Sequence, residues 1–318
     1  LSFRNLIING KMEISQRGTS FARNANGGAY SLDRWFYGGV GSQSITISRE
    51  TDVPSSNEFQ NSLRMTVTAA DTSIASDDYE HLIQRIEGFN ARNLIGRTFT
   101  LSFWVRSRKT GTHCVSFRNG AADRSYVVEY KINAANTWEF KTVTVSGGLI
   151  TSGTWNWTNG TGFDVVWTLA CGSTHQTTAN TWKTGNFIAT ANQVNCLDTV
   201  GNIFAITGVQ LEAGRAATQF EHRPYGLELA LCQRYYEQGV HATGGYAAAA
   251  GGHAIGYIQF KATKRAAPTT TIDTSLQSSG VSAITTDGAN VFGVRSVITA
   301  ALAGQYFSVG YWTASSEL

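Results

Sequence analysis

Apolar and polar residues alternate along much of the chain. From Thr98 to Arg106, Phe99, Leu101, Phe103 and Val105 fall on one face, and Thr100, Ser102, Trp104 and Arg106 fall on the other. A period of two is that of a β-strand with one side in a core and one in water. Asn61 to Thr68 repeats it with Leu63, Met65 and Val67 inward, as do Ser44 to Ser48 and Phe163 to Leu169. Further β-rich runs occur at Asn5 to Asn9, Lys11 to Ser15, DRWFYGG from Asp33, Cys114 to Phe117, Ser125 to Ile132, Trp138 to Val145 and Ile203 to Gln210. Roughly ten strands joined by Gly and Asn turns, with no helical period between them, predict an antiparallel sandwich of jelly-roll size.

The period changes once. Asn202 to Tyr236 begins as a strand, passes the breakers Gly214, Pro224 and Gly226, and then sets Leu227, Leu231 and Tyr235 four apart with Cys232 on the same side. Leu227 to Gln238 is therefore expected to be a short amphipathic helix. A chain of 318 residues exceeds what one core usually serves. The expected fold class is thus all-β: an antiparallel jelly-roll sandwich over 1–226, then a short helix opening a smaller β-rich domain over 227–318. That second part starts with GVHATGGYAAAAGGHAIGY, a Gly and Ala run that reads as a long mobile loop. Strands are expected after it at Ile255 to Phe260, Val281 to Thr286, Asn290 to Thr299 and Gln305 to Trp312.

Charge narrows the classes of partner. Only 15% of residues are charged, against roughly a quarter in an average globular protein, so the surface is polar without being ionic. The net charge of +3 is spread over scattered residues, which leaves no footprint for nucleic acid. No window approaches 18 continuous apolar residues, so no membrane insertion is expected. The chain opens on Leu1 and not on Met, which fits the ordered part of a longer polypeptide. Cys114, Cys171, Cys196 and Cys232 form no CxxC pair and have no His cluster at zinc spacing. Two readings remain for them: small buried apolar residues, or a disulfide from Cys171 to Cys196 if the protein matures in an oxidising place.

Catalytic signatures are absent: there is no GxSxG, HExxH or P-loop. The densest acidic group is Asp77, Asp78 and Glu80 in ASDDYEH, readable as a solvated turn, a structural calcium site with oxygen ligands, or part of a hydrolytic pair; Asp164 with Glu129 is the other carboxylate pair considered. No other cofactor is expected. Binding has the better case, because sugar rings lie on aromatic faces while their hydroxyls bond to amides and charged groups. TSGTWNWTNGTG places Trp155 and Trp157 around Asn156, and Trp182 stands beside Lys183 and near Asn186. Trp104 is out of phase on a polar face beside Arg106, as either a covered residue or an exposed platform. Tyr246 and His253 in the Gly-rich run complete the candidate set.

Four blocks carry a resemblance. NLIINGKMEISQRGTS, SLDRWFYGG, LIQRIEGFNARNLIGRTFTLSFWVRS and ITGVQLEAGRAATQFEHRPYGLELALCQRYY resemble the tail-fibre and tail-collar proteins of tailed bacteriophages and prophages, over residues 1 to about 237. The resemblance implies a carbohydrate-binding-module-like jelly roll, a smaller β domain, a homotrimer, other phage virion proteins as partners, and a place in the virion's host-recognition apparatus. The expected role is adhesion to host-surface polysaccharide. A structural virion protein without sugar binding is the first alternative and a polysaccharide depolymerase the second. The blocks DRW at Asp33 and QRIEG at Gln84 read as structural, with Asp33 buried against Arg34 or a backbone amide.

Overall fold

The computed structural model describes residues 3–24, 26–55, 58–149 and 152–318. The chain forms two compact units, Leu1–Arg223 and Pro224–Leu318. In the first, the strands are β1 (Ser20–Arg23), β2 (Gly27–Tyr30), β3 (Trp35–Val40), β4 (Ser44–Glu50), β5 (Ser62–Ala69) and β6 (Tyr79–Glu87), then β7 (Phe99–Ser107), β8 (Gly111–Asn119), β9 (Arg124–Ile132), β10 (Glu139–Val145), β11 (Thr161–Cys171), β12 (Trp182–Thr184) and β13 (Ile203–Ala213). A single helical turn, α1 (Gly88–Ala91), follows β6. The strands form two antiparallel sheets, ordered β1-β4-β5-β13-β7-β10 and β12-β9-β8-β11-β6-β3-β2, and the unit is a jelly-roll sandwich.

The alternating faces seen in the sequence meet between these sheets. Trp35, Trp167, Phe99, Phe103, Phe117, Phe163 and Phe204 are fully buried there. Phe99 sets its edge against Phe117 and Phe163 at 5.1 and 5.8 Å, and Trp35 packs on Trp167 at 5.6 Å. Each such side chain contributes about 1.5–3 kcal/mol relative to exposure.

Three readings change in the first unit. Asn5 to Asn9 and Lys11 to Ser15 are largely buried but join no ladder. Isolated backbone bonds, such as Leu6 N–H to the Leu211 carbonyl, and side chains hold them: Asn5 donates to the Val209 carbonyl and accepts from the Leu211 amide, and Asn9 accepts from Ile14 and donates back to its carbonyl. Positive φ angles at Asn9 and Met12, 59° and 60°, break the extended run. Second, β6 is a strand that the sequence pattern does not show. It lies inside the seven-stranded sheet between β11 and β3, buried on both faces, so it lacks alternation. One oxygen of its buried carboxylate is paired: Glu80 Oε2 meets Arg23 Nη1 at 3.1 Å and accepts from Gln43 Nε2 at 2.8 Å. Third, the cysteines are buried thiols and Cys171 is not bonded to Cys196, which removes that disulfide; burial pushes both thiols up to about 12.

The second unit opens with α2 (Tyr225–Gln233), shorter than the expected Leu227 to Gln238, because Tyr236 already begins β14 (Tyr236–Ala247). β15 (His253–Gln259), β16 (Thr269–Ile272), β17 (Gln277–Ser279), β18 (Val281–Asp287), β19 (Gly293–Ala300) and β20 (Gly304–Ser315) follow. The sheets run β14-β20-β16, with β17 also on β20, and β15-β19-β18. The Gly-rich run is therefore two strands with a connection at 248–252, not a long loop. Its glycines make room for aromatics on the partner strand: Gly239 lies opposite Trp312, where a Cβ would meet the indole at 2.9 Å.

Candidate ligand groove

β7 carries its polar face outward, and Ser102 and Trp104 floor a groove of about 370 Å³ on the six-stranded sheet. Register places Phe140 of the edge strand β10 opposite Trp104, and the two rings tilt together at 5.4 Å with Phe140 half in solvent. Phe220 and the largely buried Phe59 also line it, edge to face at 5.2 Å. Glu58, Ala217, Thr218 and Gln219 complete the lining. Gly208 sits in the β13 bulge with φ +58°, and a Cβ there would come within 2.5 Å of the Phe59 ring.

Buried polar groups hold the wall in place. Glu212 accepts from the Thr218 amide at 2.9 Å and its hydroxyl at 2.7 Å, while Gln210 takes the Glu221 amide at 2.8 Å. Arg106 is engaged outside the groove lining, where it pairs with Asp52, which also accepts the Trp138 indole N–H at 3.2 Å. The result is a recess with aromatic side chains, an amide, a hydroxyl and a carboxylate on the lining. That combination suits a ring with one apolar face and several hydroxyls. Among the described residues Glu58 is the only carboxylate lining it, whereas glycoside hydrolysis needs two across the scissile bond.

The other candidates lie elsewhere. Trp155 and Trp157 are brought together, stacked at 5.1 Å with planes 5° apart, and Trp182 sets its edge on Trp155 at 5.9 Å. All three are half-buried against the main core. Trp155 donates to the Ser152 carbonyl and Trp182 to the Gly148 carbonyl, so both indole N–H groups are used within the fold. Asn156 accepts from the Thr158 amide and hydroxyl and from the Gly160 amide, which builds its own loop. Trp155 and Asn156 do line a shallow recess of about 340 Å³. In the second unit Tyr246 is 76% exposed, and His253 is exposed with Nδ1 3.2 Å from the Thr299 hydroxyl. Neither belongs to the groove.

The acidic groups separate. Asp77 and Asp78 stand in an exposed turn, taking the Thr174 hydroxyl and the Ala75 amide, while Glu80 is buried with Arg23. Asp164 pairs with Arg118 at 2.9 Å, and Glu129 takes the Thr190 hydroxyl and the Asn192 side-chain amide. Among the described residues no group of three or more His, Cys, Asp or Glu could hold a metal ion. Asp33 is buried and accepts the Gln16 amide at 2.7 Å.

Sequence reasoning reaches Trp104 and misses Phe59, Phe140 and Phe220. Phe140 carries the signal that marks Trp104, an aromatic out of phase beside Thr142 and Thr144 on an outer face. Phe59 and Phe220 lie outside strands and carry no periodic signal.

No family model matches the chain, and no curated protein matches it. Among solved structures, it is similar to a family 4 carbohydrate-binding module at 13% identity, covering 65% of this chain and 99% of the other, with a TM-score of 0.35. A family 61 module bound to β-1,4-galactotriose matches at 12% identity over 66% and 99%, with a TM-score of 0.34. The family 11 module from Clostridium thermocellum, bound to a mixed-linked tetrasaccharide, matches at 10% over 63% and 98%, with a TM-score of 0.33. Likeness at this level does not carry a function from one chain to another.

Proposed function

We propose that the chain is a glycan-binding virion protein of the tail-fibre or tail-tip type, which attaches a phage particle to host-surface polysaccharide without cleaving it. The observation that supports binding is the groove itself, about 370 Å³ in volume and lined by Trp104, Phe140, Phe59 and Phe220. A saccharide ring stacks its C–H face on this aromatic surface, and Gln219, Thr218 and Glu58 bond its hydroxyls. The place in a virion, the homotrimer and the other phage proteins as partners rest on the resemblance of the four sequence blocks.

Titration of the purified chain with polysaccharide and intact cells from a panel of hosts, scoring co-sedimentation, tryptophan fluorescence and polymer length, tests this reading. Binding that Trp104→Ala and Phe140→Ala weaken, with polymer length unchanged, is the expected result. Shortened polymer would make the protein a depolymerase. No binding across a panel that includes the host would overturn the adhesin reading in favour of a structural virion protein.

A further inference from the structure

A second cavity lies wholly within the second unit. β14 and β15, joined by 248–252, are edge strands of different sheets, and among the described residues they do not pair with each other. Two ties hold this part of the unit together. At one end the Thr243 and Ser296 hydroxyls meet at 2.9 Å next to Gly256, where a Cβ would come within 2.5 and 2.6 Å of the two oxygens. At the other end the Lys261 amide donates to the Glu237 carboxylate at 3.0 and 3.1 Å. Between the ties is a space of about 360 Å³, with Trp312 on its floor where Gly239 carries no side chain.

The cavity holds an acceptor that the fold does not use. His241 lines it and is 4% exposed. Its Nε2 lies 2.8 Å from the Asp273 carbonyl, and a carbonyl only accepts, so Nε2 carries the ring proton. In the neutral ring Nδ1 is then a bare acceptor, buried and with no hydrogen-bond partner among the described residues. The Ser308 hydroxyl, opposite Thr243 on β20, is buried and equally unmatched. Native proteins rarely keep such atoms without something to fill the vacancy. Among the described residues Lys261 is the only charged residue on the lining, and it is exposed; the Asp273 carboxylate is taken by the Ser275 hydroxyl and the Tyr311 amide.

We propose that this cavity is a second ligand site, which takes a single neutral saccharide residue. A ring hydroxyl donates to His241 Nδ1. Two facing sheet edges present backbone N–H and C=O groups for the other hydroxyls, and Trp312 supplies apolar surface for the C–H face. The volume lies near the lower end of the range for small-molecule cavities, which suits one ring and not a chain segment. The proposal shares with the reading above only the class of ligand, because the groove on β7 belongs to the other unit.

Saturation-transfer NMR with methyl β-galactoside, methyl β-glucoside and N-acetylglucosamine as probes tests it, on the full chain in its parent form and with Trp104→Ala and Phe140→Ala together. Binding that survives in the groove variant is the expected result. His241→Gln keeps an amide N–H for the Asp273 carbonyl and removes the acceptor, so it is expected to weaken binding about tenfold at an unchanged thermal midpoint. His241→Asn sets a carboxamide oxygen near the Nδ1 position and is expected to recover part of that loss. Should these variants fail to fold, the NMR resonance of the His241 Nδ1 nitrogen in the parent chain decides, because it moves upfield when the lone pair accepts a hydrogen bond from the probe. No binding of any probe overturns the proposal. Binding that disappears with Trp104 and Phe140 overturns it as well, since it then belongs to the groove, and so does binding that leaves both the His241→Gln affinity and the Nδ1 resonance unchanged. The groove fails instead if polysaccharide binding is unaffected by Trp104→Ala and Phe140→Ala, so the two readings fall separately.

Discussion

Glu80 gives the sharpest test of the energetics inside the sandwich. Its side chain is fully buried on β6, and burial outweighs the nearby Arg23 guanidinium, raising its pKa from 4.5 to about 8. The folded chain therefore keeps this proton over a range where the unfolded chain has lost it, and stability falls as pH rises through that range. Two buried histidines act in the opposite sense: burial lowers His113 to about 4 and His81 well below 6.5. Their stability is lost as pH falls below the unfolded value near 6.5, so they mask Glu80 on the acid side. Between 6.5 and 8 Glu80 stands alone among these three. Unfolding free energy is expected to drop there by about 1.4 kcal/mol per pH unit, about 2 kcal/mol in all. Glu80→Gln is the perturbation. Glu80 Oε2 serves both Arg23 and Gln43 while Oε1 has no hydrogen-bond partner, so a carboxamide keeps the two bonds through its oxygen. The assay is urea unfolding followed by tryptophan fluorescence; of the 8 tryptophans only Trp312 lies beyond the first unit. The variant is expected to be flat from 6.5 to 8 and more stable than the parent at pH 8. Equal slopes in parent and variant would refute the reasoning, as would a parent that is flat across the window.

Other expectations follow from the same geometry. Trp104→Ala and Phe140→Ala should each weaken saccharide binding roughly three- to tenfold, read by fluorescence titration, since an aromatic contact contributes about 0.5–1.5 kcal/mol beyond area. Gly208→Ala places a Cβ against Phe59 at a positive φ, and should cost about 2 kcal/mol in urea unfolding while reducing affinity by moving the groove wall. His113→Gln should reduce the loss of stability between pH 6.5 and about 4, measured by thermal melts across that range. With Cys171 and Cys196 buried and pushed up to about 12, a thiol-reactive probe should label the chain only in denaturant, and rapid labelling of the native protein would contradict the packing.

The strands with one dry and one wet face are legible in the sequence because their period is imposed by the pleat. β7 can be read to within a residue, as can the outward position of Trp104. β6 escapes because burial on both sides erases alternation, and Glu80, His81 and Gln84 hide a central strand behind polar residues. Glycine misleads in the other direction: β14 reads as a loop until Trp312 and Phe307 are seen to cover its glycines from the next strand. The groove is half legible for a related reason. Its floor belongs to strands, while Phe59 and Phe220 lie outside them, and the segment carrying Phe220 is brought over the sheet by the Gln210 and Glu212 hydrogen bonds.

The placement of β13 bears on how the first unit is made. It lies between β5 and β7 in the six-stranded sheet, although it is the last strand of the unit to be synthesised. Asn5 near the beginning bonds to Val209, Leu211, Glu221 and Arg223, and the Ile7 carbonyl also accepts from Arg223. A nascent chain stopped before residue 203 therefore holds two unpaired strand edges, β5 and β7, and lacks the partners of Asn5, although Asn9 is already held by Asp33 and Trp35. Such contacts across two hundred residues slow the search for the native pairing. The six-stranded sheet is completed only once β13 has been made, and until then its β5 and β7 edges are open to pairing with other nascent copies.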